Sequence, residues 1–166
     1  MNFILQLIKT PHKPPYFQTM KTKIPTWLES FVITHSTFFH DDEDHEYAVV
    51  ASALATNQGA PEVFAIMNGE VLAISEAYPE EYRELGLIHE LVCNTTKEED
   101  CHICLRSLQY ELDLARERGL VMVDYINFRS LFFENLIKYY EAKNETVVEV
   151  KILEKMRHSL AHLKNL

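Results

Sequence analysis

Cys93, Cys101 and Cys104 fall within twelve positions of one another, and His89 stands one helical turn before the first of them. Thiolates and imidazole are the donors that take zinc in tetrahedral sets of four. An odd number of cysteines so closely clustered suits metal binding or free thiols better than a disulfide framework. The spacing H-x3-C-x7-C-x2-C departs from the common zinc-finger spacings, so residue type carries this reading more than pattern does. Two other chemistries fit the same residues. Free cysteines on apolar helix faces are often small buried hydrophobes. Cys101 and Cys104 also have the spacing of a redox pair at a helix N-terminus, although the strand and turn that precede such a pair are missing.

Two helices must position these groups. Pro79 followed by Glu80 and Glu81 opens the first, expected over 79–93, because proline suits the first turn and acids suit the positive end of the dipole. The second is expected over 101–118, ended by Gly119. At about 100° per residue, His89 and Cys93 share the inner face of the first helix with Tyr82 and Gly86. Cys101 and Cys104 share the inner face of the second with Leu108 and Leu112, while His102 falls on the polar face. The short polar link NTTKEED makes the helices an antiparallel pair. His89, Cys93, Cys101 and Cys104 then converge at one end, and zinc is the expected cofactor.

The rest of the chain is expected to fold around this pair. Residues 1–23, with Pro11, Pro14 and Pro15, have little periodicity and form an extended N-terminal arm. Residues 24–39 suit a strand, or a short helix followed by a strand. Asp41, Asp42 and Asp44 can cap a helix through EYAVVASALATNQ, ended by Gly59 and Pro61. EVFAIM and VLAIS form a β-hairpin about Asn68-Gly69. Helices follow the metal pair over 121–143 and 146–163. The expected fold is α+β: an arm, then one domain over 24–166 with a helix, a β-hairpin and a C-terminal half of four helices.

Bulk properties narrow the function classes. Hydrophobic residues make up 47% and charged residues 25%, values typical of a globular domain. A formal charge of −9 without a basic stripe disfavours nucleic acid and anionic membrane surfaces. No apolar run nears the roughly 20 residues that span a bilayer. The opening MNFILQLIK has no basic region before it and no small-residue cleavage site after it, so a cytoplasmic home is expected. Phe128, Phe132, Phe133, Tyr139 and Tyr140 supply core, or an interface for a protein partner or a homodimer through the helix over 122–143. His35, His40 and His45 flank the acidic run as a weaker metal candidate. His158 and His162, four apart near a helix end, suit its negative dipole. With glycines only at 59, 69, 86 and 119, no phosphate loop is possible.

The order of hairpin, helix with His-Glu, and second helix resembles the minimal zincin metallopeptidases, over residues 61–118. The matching residues are His89 and Glu90 in the string LGLIHELVC, with Cys93 in place of the second motif histidine. The resemblance implies Glu90 as the base acting on a metal-bound water, and Glu111 as a third ligand from the second helix. Thiolates from Cys101 and Cys104 would instead close the site. The sequence therefore supports a zincin-like protein with a structural or regulatory zinc and a protein-interaction role. A metal-dependent peptidase using His89 and Glu90 is one alternative, and a metal-free helical interaction domain with buried thiols is another.

Overall fold

Apolar runs build a four-stranded sheet whose inner strand is buried on both faces. The computed structural model describes residues 24–57, 59–68, 71–95, 103–143 and 147–166. Helix α1 (Thr26–Glu29) leads into β1 (Val32–His40) and β2 (Glu43–Val50), then α2 (Ala53–Asn57), β3 (Ala65–Asn68) and β4 (Val71–Ser75). A 3-10 turn (Glu80–Tyr82) opens α3 (Arg83–Thr95), and α4 (Ile103–Glu117), α5 (Met122–Glu141) and α6 (Val147–Leu163) complete the chain. The fold is α+β, as expected, with a mostly helical C-terminal half.

The sheet order is β1-β2-β4-β3, with β2 and β4 parallel and the outer pairs antiparallel. Alternation sends Val49, Leu72 and Ile74 to the face on which α3 packs, in a core shared with α4 to α6. Ala48, Val50, Val71 and Ala73 go to the other face, where they meet Leu28 and Leu54 of the two short helices. Strand β4 is buried throughout, as befits an inner strand covered on both sides.

One expected element is wrong. The first part of the helix anticipated after the acidic run is strand β2, and only α2 remains helical. Asp41 and Asp42 do not cap it. Their φ values of 50° and 63° make them the two-residue turn joining β1 to β2, with His40 paired to Glu43. Two successive positive-φ residues match the right-handed twist of a hairpin, and aspartate tolerates that region better than most residues. Between residues 24 and 39, the short helix followed by a strand is the alternative realised. The second hairpin is present with Asn68 paired to Val71, so Asn68 belongs to the strand, and Gly69 lies outside the described residues.

Helices α3 and α4 are antiparallel. Arg118, just beyond α4, donates to Glu84 at the start of α3 at 2.9 Å, while Cys93 near the end of α3 reaches Ser107 near the start of α4. No helix among the described residues is long and apolar enough to cross a membrane.

Candidate functional site

The inner face of α3 delivers His89 to a fully buried carboxylate on α4. The Glu111 carboxylate has no exposed surface, and its four contacts come from three residues on two helices, α3 and α5. Nδ1 of His89 lies 2.7 Å from Oε2, which also accepts from Nη2 of Arg129 at 3.1 Å. Nε of Arg129 lies 2.6 Å from Oε1, which also accepts a short hydrogen bond from the Tyr125 hydroxyl. Tyr125 and Arg129 stand one turn apart on α5, which is why a single helix can grip both oxygens.

Arg129 is itself enclosed. Its Nη1 donates to the Tyr78 hydroxyl at 3.2 Å, and its guanidinium carbon lies 4.5 Å and 4.9 Å from the ring centres of Phe132 and Phe133. Aromatic faces suit a desolvated cation. Tyr78 is held by Arg83, which donates to the carbonyls of Tyr78 and Glu76 at 3.0 and 2.9 Å. Gly86 leaves room for the Tyr78 ring: a Cβ there would fall 2.5 Å from its hydroxyl oxygen.

Burial alone would raise the Glu111 carboxyl. The Arg129 charge, with help from His89 and Tyr125, outweighs burial and holds it below its ordinary value. Burial also raises the phenols of Tyr78 and Tyr125, keeping both protonated. Because an ionised carboxylate only accepts, the 2.7 Å contact requires Nδ1 of His89 to carry the proton. A neutral ring of that tautomer keeps a lone pair on Nε2.

Of the four expected zinc ligands, His89 is buried, and Cys93 is half-buried on the same side of α3, as the helical projection required. The Cys93 thiol donates to the Ser107 hydroxyl at 3.1 Å, so it faces α4 one turn beyond the backbone of Cys104. Cys101, His102 and the side chain of Cys104 lie outside the described residues. Among those described, no three His, Cys, Asp or Glu side chains converge as a metal group. The open ligand set of His89, Cys93 and Glu111 is therefore not assembled. Glu111 meets the opposite nitrogen of His89 from any Nε2 ligand, and Arg129 occupies its remaining coordination. His40 and His45 meet through His45 Nε2 and the His40 carbonyl at 3.1 Å, without forming a metal group. His162 bonds Gln109 of α4 at 3.1 Å, and His158 is exposed.

Glu90, the base implied by the zincin resemblance, leaves the helix in another direction. It lines a groove of about 420 Å³ bounded by Trp27, Phe64, Leu136, Tyr139 and Met156. Sequence reasoning missed Arg129, Tyr125 and Tyr78. The signal was available for one of them: Arg129 sits at helical spacing with Tyr125, Phe132 and Phe133, and an arginine on an apolar stripe needs a buried acid.

No protein-family model matches the chain, and comparison with curated proteins and with solved structures also returns no match.

Proposed function

We propose that the chain is a non-catalytic, zincin-like protein in which a structural zinc ties α3 to α4 through His89, Cys93, Cys101 and Cys104. The observation that supports this most is the carboxylate on Nδ1 of His89. Histidines that bind metals through one nitrogen usually donate the other to a carboxylate, which sets the tautomer and the ring orientation. Glu111 has that place here, at 2.7 Å, and its own charge is balanced by Arg129 rather than by a metal. Cys93 lies on the same helix face one turn on and points toward α4. Zinc, when bound, would supply a cross-link between the helix ends, which short-looped pairs otherwise gain only from packing. The biological role then falls to protein contact, with Val123 and Leu131 on α5 exposed for it.

The test is the metal content of protein purified without added metal. One zinc per chain is expected, lost together with thermal stability in Cys93→Ser and in Cys104→Ser. Absence of metal, with all three thiols titrating and the melting temperature unchanged in both variants, defeats the proposal. A peptidase using Glu90 is the second reading, favoured only by the groove beside that residue. It requires peptide cleavage that Glu90→Gln abolishes while metal content stays the same. No cleavage of a broad peptide library by the wild type removes it.

A further inference from the structure

Charge along the chain is divided unevenly. Lys9, Lys13, Lys21 and Lys23 precede the first acid, Glu29, so the net −9 consists of +4 on residues 1–23 and −13 on the remainder. The arm also contains FILQLI at residues 3–8, a window with no charge, no proline and strong β-propensity. Segments of that composition associate with other chains when left in water.

The groove beside Glu90 offers such a segment cover. Its walls are apolar and aromatic, and Glu90 is the one charged side chain among the described residues that line it. The arm joins the folded body beside it. Ile24 packs on the cluster that contains Leu54, flanked there by Phe64, and Leu54, Phe64 and Trp27 all border the groove. A chain of 23 residues reaches up to about 75 Å when extended, so distance does not restrict the docking. We propose that the groove is the docking site of this chain's own N-terminal arm, with residues 3–8 against its apolar walls and the lysines toward the acidic body. Any other ligand of the groove must displace the arm. This inference does not depend on zinc.

Trp27 is the only tryptophan and is 46% exposed at the groove, so its fluorescence reports whether the groove is covered. In the full-length protein, trypsin is expected to cut after Lys9 and Lys21 about tenfold more slowly than in a synthetic peptide of residues 1–23, because cleavage follows the undocked population. Ile4→Asp/Leu7→Asp should remove that protection and raise acrylamide quenching of Trp27. Leu136→Asp should release the arm from the groove side, and Tyr139→Ser serves if Leu136→Asp does not fold. Equal cleavage rates in protein and peptide overturn the proposal, as does protection that survives both the arm and the groove variants. Protection that grows with protein concentration assigns the groove to a second copy's arm and overturns docking within one chain.

Discussion

Glu111 is the residue on which most of the buried polar chemistry depends, because its carboxylate pairs directly with the fully enclosed Arg129. Removing one partner of a buried pair leaves an uncompensated charge, so Glu111→Gln should destabilise the fold by about 3–5 kcal/mol in urea unfolding. Glu111→Leu combined with Arg129→Met should cost less than either single change, since the pair's desolvation then disappears from both sides. A double variant as unstable as the sum of the singles would contradict this. The same pair sets an acid limit. A carboxyl held below its ordinary value contributes stability that is present above the unfolded-state value and lost as pH falls through the folded one. Wild type should therefore lose stability through the acid range more steeply than Glu111→Gln, measured as urea midpoints at successive pH values. At this scale the sequence was partly legible. His89 could be placed inward from helical spacing alone, but its contact with Glu111 could not, because 22 residues and a loop separate them. Arg129 was hidden by the apolar residues around it.

Two elements depend on local geometry that single substitutions can probe. Gly86 sits inside α3, where alanine would ordinarily favour the helix by about 1 kcal/mol. Here the added Cβ would meet Tyr78 at 2.5 Å, displacing the ring whose hydroxyl accepts from Arg129. Gly86→Ala should therefore lower the melting temperature, and a rise would show that Tyr78 can move without loss. The β1 to β2 turn behaves in the opposite sense. Asp42 at φ 63° is in the region that L side chains enter at a cost of about 1–2 kcal/mol, so Asp42→Gly should be tolerated. Asp42→Val should destabilise, because a β-branched side chain is least able to adopt that backbone. This turn is also where the reading of elements failed. An acidic run before an apolar segment fits a helix cap and a hairpin turn alike, and only pairing with β1 decides between them. Helices α3 to α6 were legible to within a few residues, because their apolar periodicity extends over three or more turns.

For the molecule as a whole, protection should follow the sheet order. Strand β4 is buried on both faces and paired on both edges, whereas the first half of β1 is a largely exposed edge. Amides of β4 should exchange with solvent only through global unfolding, and those of residues 32–36 by local opening. Equal protection of the two strands would mean that something covers β1. The sequence by itself determined the α+β class, the helical C-terminal half, the second hairpin and the inward placement of His89 and Cys93. These follow from spacing, capping and turn chemistry, which act over a few residues. Only the tertiary structure decided that residues 43–50 are a strand, that Glu111 serves Arg129 as well as His89, and that Glu90 opens on a groove instead of sharing the His89 site. Each of those outcomes depends on contacts between segments far apart in the chain, where the energy comes from partners that local pattern does not identify.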